Sequence, residues 1–386
     1  MANEVIARVV IVGASLAGWS VARSLRSAGF GGAIDLIGDE PHRPYDRPPL
    51  SKAYLAGDLD LDGISLLVPD EDVPVTWHLG VPAVSLRDRT VALADGTSIT
   101  GDAVVIATGT SPRSLPAAAG LRGVHTLRST DDADALRAAF VPGARVVVIG
   151  AGFIGSEVAS TASKLGASVT VLDAAAEPMA HVFGPSMAAV VTSLHGLNGV
   201  SLLTGVSVAG LSSADGAVSG VVLADGRELP ADVVVVGIGV APAVSWLADS
   251  GVALDNGVVV DAAGRTSVPG VWACGDVARY PSVRGGGLIR VEHWTHAREH
   301  GAAVASGLLG TPVEYDPVPY VWSEQYGVMI QFAGFVRPGD SVEVVDGDPG
   351  EHRFVATYRR DGRLVAVLGA RIPRTFVRLR RELAAA

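Results

Sequence analysis

The feature that most constrains the fold of this chain is a glycine-rich segment that occurs twice. Val9–Gly18 reads VVIVGASLAG, and Val146–Gly155 reads VVVIGAGFIG. Each β-branched run leads through glycines into a helix-like stretch, Trp19–Ala28 in the first copy and Ser156–Gly166 in the second. In a dinucleotide-binding βαβ unit the first glycine allows the tight turn, the second lets the backbone approach a pyrophosphate, and the third lets helix and strand pack closely. The sequence therefore predicts two such units.

Acidic residues follow both copies at the distance expected of a carboxylate that bonds a ribose, roughly 20 residues on. Asp39 follows the run AIDLIG, and Asp173 ends the run SVTVLD. No basic residue lies between Asp173 and Glu177, where an NADP 2′-phosphate would need an arginine. The second site is therefore predicted to use NADH. The first copy has Ser15 in place of the middle glycine, a small departure from the pattern.

A second repeat supports the first. Asp95–Pro112 and Asp225–Pro242 both combine an Asp-Gly turn, a buried strand and a turn of small residues. Two nucleotides, one in each unit, explain this duplication better than two structural turns without a ligand.

Composition excludes several classes of function. Cys274 is the only cysteine of 386 residues, which excludes a disulfide framework, a cysteine zinc site, an iron–sulfur cluster and a two-cysteine redox relay. The net charge of −10 argues against a nucleic-acid partner. The longest apolar run, Val233–Val244, is too short for a membrane span, which needs about 20 residues. No signal peptide is evident at the N-terminus, so we expect a cytoplasmic protein without a membrane partner.

Six short segments occur together in one order and carry a family resemblance. The chain resembles the FAD-dependent, NADH-using ferredoxin reductases that serve bacterial oxygenases. The segments are Arg43–Leu55 (RPYDRPPLSKAYL), Ala107–Gly109 (ATG), Leu127–Asp131 (LRSTD), Cys274–Asp276 (CGD), Val291–Trp294 (VEHW) and Trp322–Gln325 (WSEQ).

The resemblance implies an α/β, glutathione-reductase-like fold in three parts. Two Rossmann-type domains would be followed by a smaller α+β C-terminal domain. The expected boundaries are 1–111 with 238–312 for a split FAD-binding domain, 112–237 for the NAD-binding domain, and 313–386 for the C-terminal domain.

The activity implied is hydride transfer from NADH to FAD, then transfer of single electrons to a [2Fe–2S] ferredoxin. That ferredoxin would feed a Rieske dioxygenase or a haem-thiolate monooxygenase, which the residues do not distinguish. Two alternatives stay open. One is an NADH-dependent reductase of rubredoxin or of small quinone-like acceptors. The other, weaker one is a flavin-binding interaction protein of the apoptosis-inducing-factor type, disfavoured because the chain is acidic and shows no targeting segment.

Lys52 is the principal catalytic candidate. It is one of two lysines in a chain with 28 arginines, and it follows the rigid pair Pro48–Pro49. Retention of lysine suggests a need for a compact point charge. The resemblance implies that this lysine lies by the flavin N5 edge and pairs with Glu157. The bland alternative is an exposed lysine in a loop.

Glu157, through its pairing with Lys52, is the second catalytic candidate. Trp322 is the third, because the resemblance implies a tryptophan near the exposed flavin edge; a core tryptophan is the alternative. Asp276 is expected to bond the flavin ribityl chain, unless it only caps a helix. Together, motif and resemblance predict FAD contacts at Gly13, Ser15, Ala17, Gly18, Asp39, Arg47, Lys52, Ala83, Ala107, Thr108, Gly109, Arg128, Gly275, Asp276, His293 and Trp294. They predict NAD contacts at Gly150, Gly152, Phe153, Ile154, Gly155, Glu157, Asp173, Gly237, Ile238 and Gly239.

Two clusters of basic residues remain. Residues 352–386 hold nine arginines against Asp361 and Glu382, a basic segment that could steer an acidic ferredoxin or only be a solvated helix. His296 and His300 are spaced to share one helical face, but no further ligand cluster accompanies them, so no metal site is predicted.

Overall fold

The computed structural model describes residues 6–69, 71 and 73–385. The strands of the first half of the described chain are β1 Arg8–Val12, β2 Ala33–Gly38, β3 Thr76–Leu79, β4 Ala83–Arg87, β5 Thr90–Leu93, β6 Ser98–Thr100, β7 Ala103–Ile106, β8 Thr110–Pro112, β9 Val124–His125, β10 Arg145–Ile149, β11 Ser168–Leu172 and β12 Ser201–Leu203. The remaining strands are β13 Val208–Ala214, β14 Ala217–Leu223, β15 Glu228–Pro230, β16 Val233–Val236, β17 Val240–Pro242, β18 Val258–Val259, β19 Val271–Ala273, β20 Ala278–Ser282, β21 Gly287–Ile289, β22 Tyr320–Gln325, β23 Val328–Gly334, β24 Ser341–Asp348, β25 Arg353–Arg360 and β26 Arg363–Ala370.

The α-helices are α1 Leu16–Ser27, α2 Thr130–Ala139, α3 Phe153–Lys164, α4 Ala180–Phe183, α5 Pro185–Leu197, α6 Trp294–Leu308 and α7 Pro373–Ala385. Short 3₁₀ turns occur at Pro48–Ser51, Asp62–Ile64, Pro116–Ala118, Ser245–Leu247, Gly275–Val277 and Pro349–Glu351.

The chain divides into two compact units. The first runs up to Asp46 and continues as Ser65–Ser111 and Ala241–Pro319; the second comprises Arg47–Ile64, Pro112–Val240 and the chain from Tyr320 onward. The three-domain division expected from the sequence stays a prediction.

A parallel sheet organises the first unit, with strand order β19-β7-β1-β2-β3. Its central strand β1 is a β-branched run whose last four residues are buried, as expected of a strand covered on both faces. Helices α1 and α6 pack closely on it, and a Cβ added at Gly301 of α6 would lie 2.6 Å from the carbonyl oxygen of Ala17. The predicted first βαβ unit is therefore present.

A second parallel sheet, β12-β11-β10-β16-β9, organises the first part of the second unit. Its strands β10 and β16 contribute mainly buried valines. Helix α3 follows β10 as α1 follows β1. The duplication read from the sequence is thus a duplication of structure.

The last five strands form an antiparallel sheet, β22-β23-β26-β25-β24, with α7 packed against it. Side chains of α4 and α5 share one apolar cluster with this sheet, including Phe183 and Met187 with Phe332 and Phe354. Two Rossmann-type sheets with an α+β C-terminal part confirm the predicted fold class.

Both dinucleotide helices begin earlier than the sequence indicated. Helix α1 starts at Leu16 instead of Trp19, and α3 starts at Phe153 instead of Ser156. The glycines that lower helix propensity, Gly18 and Gly155, lie inside the first helical turn because the turn backbone passes too close for any Cβ. Within residues 6–69, 71 and 73–385, no helix is long and apolar enough to cross a bilayer.

Candidate nucleotide-binding and redox site

The first unit gathers most of the predicted FAD residues at the carboxyl ends of its parallel strands, where open α/β sheets bind ligands. The gathered residues are Gly13, Ser15, Ala17 and Gly18 after β1, Asp39 after β2, Ala107, Thr108 and Gly109 after β7, and Gly275 and Asp276 after β19.

The glycine turn of the first unit has the close backbone packing that a dinucleotide site requires. Gly13 has φ +121°, and a Cβ there would lie 2.1 Å from the carbonyl oxygen of Ala107. A Cβ at Gly18 would lie 2.0 Å from the carbonyl oxygen of Gly13. The turn is therefore restricted to glycine at both positions, and it presents the N-terminus of α1 at the strand ends.

The turn that follows β19 lies directly against helices α1 and α6. Gly275 has φ +71°, and a Cβ there would meet the Cβ of Ala17 at 2.7 Å. The Gly275 N–H donates to His300 Nδ1 at 3.3 Å. Asp276 is the middle residue of a single 3₁₀ turn, and α6 begins only at Trp294. Asp276 therefore does not cap an α-helix, which was the alternative to a flavin contact.

Two further predicted FAD residues lie at the start of α6. His293 precedes the helix, and its Nδ1 is buried without a partner among the residues that the structure describes. Burial lowers the pKa of His293 to about 4. The Trp294 indole N–H donates to Asp46, whose pKa burial raises. A bound cofactor would supply the partner that His293 Nδ1 needs, so the donor set of the first unit is compatible with FAD.

The glycine turn of the second unit leaves open space at one position. Cβ atoms at Gly150 and Gly155 would lie 2.3 Å from the carbonyl oxygen of Gly237 and 1.9 Å from that of Gly150. A Cβ at Gly152 would meet nothing within 4 Å. Gly152 is the middle glycine, which in a nucleotide site faces the pyrophosphate. The open space is therefore where the pattern requires it.

Asp173 follows β11 and is already bonded to the glycine turn. Its carboxylate accepts the Ala151 N–H and the Ala175 N–H, each at 2.8 Å. Ile154 and Ile238, both predicted NAD contacts, stay 48% and 37% exposed. Exposed apolar side chains beside such a turn give an adenine or nicotinamide ring something to pack against. Phe153, Gly155, Glu157, Gly237 and Gly239 complete the predicted set in this unit, and the Phe153 ring packs edge-on against Phe183.

Lys52 and Glu157 form an ion pair within the second unit. Lys52 Nζ lies 2.6 Å from Glu157 Oε2, with side chains 18% and 2% exposed. The lysine also donates to the Pro48 carbonyl at 3.0 Å. The exposed-loop alternative for Lys52 is therefore wrong, because the ammonium is held by a buried carboxylate and by the Pro-Pro turn.

Two serines complete the bonding of Glu157. Ser51 Oγ donates to its Oε2 at 2.5 Å, and Ser323 Oγ donates to its Oε1 at 2.6 Å. Both lie in segments that carry the family resemblance, RPPLSK and WSEQ, but the sequence alone assigns neither serine a role. Their spacing from Glu157 is long-range, so only the fold reveals the contact. The signal present in the sequence is a small hydroxyl residue beside the lysine and beside the tryptophan.

The remaining predicted residues lie elsewhere. Arg47 Nη1 donates to the Arg128 carbonyl at 2.5 Å in the second unit, and the Arg128 N–H donates to Asp132 Oδ2 at 2.8 Å. Trp322 is half-buried on β22, with its ring stacked on Tyr320 at 5.8 Å. Ala83 is the first residue of β4 in the first unit and packs against its core.

Cys274 and the α6 histidines are buried in the first unit. Burial raises the pKa of the Cys274 thiol to about 12, which removes its nucleophilic form. His296 and His300 do share a helical face, with rings stacked on Tyr280 and Tyr315. The described residues hold no group of three or more metal-ligating side chains.

The comparisons with known proteins agree with this geometry. The family model described as pyridine nucleotide-disulphide oxidoreductase matches residues 7–301, and the model described as Reductase C-terminal matches residues 320–386. The chain is 40% identical to rhodocoxin reductase of Rhodococcus erythropolis over 381 residues, 97% of this chain and 89% of that protein. It is 37% identical to putidaredoxin reductase CamA of Pseudomonas putida over 369 residues, 93% of this chain and 87% of that protein.

A solved structure extends the similarity to three dimensions. The crystal structure of the covalent putidaredoxin reductase–putidaredoxin complex superposes on 100% of this chain and 94% of that chain, with a TM-score of 0.93 and 34% identity.

Proposed function

We propose a specific electron-transfer reaction for this chain, which belongs to the pyridine nucleotide-disulphide oxidoreductase family. The enzyme takes a hydride from NADH, holds the two electrons on bound FAD and delivers them singly to a [2Fe–2S] ferredoxin. FAD supplies the chemistry that links hydride uptake from NADH to single-electron delivery, because it accepts two electrons together and releases them one at a time. The observation that carries this proposal is the pair of glycine turns, one in each unit, with the ion pair of Lys52 and the buried Glu157 beside the second.

The first unit is proposed to bind FAD. Backbone N–H groups at the start of α1 receive the pyrophosphate, Asp39 at the end of β2 receives a ribose, and Asp276 the ribityl chain. His293 and Trp294 hold the edge of the site at the start of α6. The predicted domain boundaries, with 1–111 and 238–312 around 112–237, are part of this proposal.

Lys52 is proposed to act as a fixed positive charge that stabilises the group accepting the hydride from NADH. Glu157 fixes the direction of the ammonium, and the hydroxyls of Ser51 and Ser323 satisfy the other lone pairs of that carboxylate. A preorganised charge of this kind costs no rearrangement at the moment of transfer. Trp322, on the strand that carries Ser323, is proposed to face the acceptor.

The second unit is proposed to prefer NADH over NADPH. The Asp173 carboxylate is held by two backbone N–H groups and would lie close to a 2′-phosphate. Like-charge repulsion of about 1–2 kcal/mol predicts a KM for NADH about 5- to 30-fold below that for NADPH. Asp173→Asn removes the charge and keeps one of the two acceptor oxygens that bind the N–H groups of the turn, so the ratio of the KM for NADPH to the KM for NADH should fall. A wild-type KM for NADPH equal to or below that for NADH would contradict the assignment.

The absence of a usable thiol supports direct delivery to an external acceptor. The chain's only cysteine is fully buried and its pKa is raised, so the usual flavin-to-cysteine step of disulfide reductases has no acceptor. The relatives named above are reductases of rhodocoxin and putidaredoxin. We infer the same class of partner here, a [2Fe–2S] ferredoxin.

The C-terminal helix offers a surface suited to an acidic partner. Arg374, Arg378 and Arg381 are exposed on α7, while Phe376 and Leu379 anchor its apolar face. These arginines would raise the rate of encounter with an acidic ferredoxin at low ionic strength. We also propose that the enzyme is cytoplasmic, because its reaction uses NADH and its one cysteine is buried and not in a disulfide.

Acceptor preference tests the proposal. The NADH-reduced protein is mixed anaerobically with a [2Fe–2S] ferredoxin, a rubredoxin or a soluble quinone, and flavin reoxidation is followed by stopped flow. We expect the ferredoxin to react fastest, and to slow as salt is raised. Fastest reaction with rubredoxin or quinone would favour the alternative reductase. Reoxidation by none of the three would favour a flavin-binding interaction protein.

A further inference from the structure

A buried hydrogen-bonded chain in the second unit has no part in the reaction described so far. His195 of α5 is fully buried. Its Nδ1 lies 2.7 Å from the Tyr326 hydroxyl oxygen, and its Nε2 lies 3.3 Å from Ser156 Oγ. Tyr326 belongs to the turn between β22 and β23, and Ser156 to the first turns of α3. These hydrogen bonds thus join the C-terminal sheet to α3, the helix that follows the second glycine turn.

The direction of each hydrogen bond follows from the bond between Ser156 and Ala151. Ser156 Oγ donates to the carbonyl oxygen of Ala151, 3.4 Å away, so it accepts from His195 Nε2–H. A neutral imidazole with its proton on Nε2 has Nδ1 free to accept, and the Tyr326 hydroxyl donates there. Burial lowers the pKa of His195 to about 4, which keeps the ring neutral at physiological pH. Ala151 is the residue whose N–H donates to Asp173.

The backbone of Tyr326 gives independent evidence that its position matters. Tyr326 and Gly327 are the two residues of a hairpin turn, with φ +52° and +71°. Asn, Asp or Gly usually occupies the first position of such a turn, and a bulky aromatic residue is strained there. The Tyr326 N–H donates to Ser160 Oγ on α3 at 2.7 Å. Any residue could make that backbone contact, so what Asn or Gly would not supply here is the hydroxyl that donates to His195 Nδ1 and the ring packed edge-on against His195.

We propose that Tyr326 and His195 are positioning residues for the nicotinamide-nucleotide turn, acting through Ser156 on Ala151. The inference rests on the proposed function of that turn as the NADH site. The proposal makes the hairpin of β22 and β23 part of nucleotide binding. Tyr326 in that hairpin is 131 residues from His195 in sequence, and the hairpin belongs to the C-terminal sheet and not to the parallel sheet that carries the glycine turn. Loss of these hydrogen bonds should loosen the glycine turn that receives the pyrophosphate, and it should leave the flavin and Lys52 unchanged.

Tyr326→Phe tests this with a matched control. The variant removes one hydroxyl, and we expect the KM for NADH to rise about fivefold, with kcat for ferricyanide reduction within about twofold of wild type. The control is Tyr358→Phe, which removes another buried hydroxyl of the same unit, bonded to the Phe183 carbonyl at 2.7 Å. That variant should lose similar thermal stability and keep the wild-type KM. His195→Phe should match Tyr326→Phe, and the double variant should be no worse than His195→Phe alone.

Three results would overturn the inference and leave the proposed function standing. An unchanged KM in Tyr326→Phe would remove the role, and equal rises in Tyr326→Phe and Tyr358→Phe would mean only general loosening. Fully additive effects in the double variant would show that the two residues do not act through one chain. Wild-type protein with bound flavin that NADH does not reduce would instead refute the proposed function, and this inference with it.

Discussion

Gly152→Val should raise the KM for NADH about 100-fold or more and leave the protein folded and yellow. A Cβ at this position meets no atom within 4 Å, and its backbone is extended (φ −74°, ψ −173°), which valine tolerates. The added methyl groups would occupy the space proposed for the pyrophosphate. Loss of several hydrogen bonds to a charged group accounts for an effect of about 100-fold. Steady-state kinetics with ferricyanide as acceptor measures it.

The matched control is Gly210→Val in β13 of the same unit. That position is also open and lacks a left-handed backbone, but it lies in the antiparallel sheet away from the turn. Gly210→Val should keep the wild-type KM, and dithionite should reduce the flavin of both variants normally. A wild-type KM in Gly152→Val would show that the open space does not hold the nucleotide.

Lys52→Met should slow flavin reduction by NADH about 100-fold with little change in flavin content. Removing one preorganised charge from a reacting centre typically costs about 10²–10³ in rate. The measurement is anaerobic stopped flow at saturating NADH. Lys164→Met is the matched control, because Lys164 is the only other lysine and forms an exposed ion pair with Asp58. It should react at the wild-type rate.

Unpairing Glu157 could itself disturb the fold, because a buried carboxylate without its cation is destabilising by about 3–5 kcal/mol. The double variant Lys52→Met with Glu157→Gln removes that unpaired charge. It should regain thermal stability and stay slow. Recovery of the wild-type rate in the double variant would mean that Lys52 serves folding and not electron transfer.

The sequence predicted the parts of the site that depend on local backbone geometry. Gly13 and Gly150 are needed because a turn there has positive φ and a carbonyl oxygen within 2.3 Å of any Cβ. Such demands leave a local pattern, and its repetition gave both units. The early helix starts were missed because Gly18 and Gly155 look like helix breakers until the close approach of helix and turn is known.

The polar networks could not be predicted, since each joins segments far apart in the chain. Ser323 and Glu157 are 166 residues apart, and Tyr326 and His195 are 131 apart. Serine, histidine and tyrosine carry no local signal that names a partner. The single cluster shared by α5 and the C-terminal sheet is equally non-local, because its residues read only as ordinary apolar positions.

The most direct test of the account is an anaerobic titration of the purified protein with one equivalent of NADH, followed by visible absorption. We expect a flavin band that bleaches with NADH and only sluggishly with NADPH, and whose colour returns on addition of an oxidised [2Fe–2S] ferredoxin. A colourless protein that cannot be reconstituted with FAD, or a flavin band that NADH leaves unchanged, would contradict it.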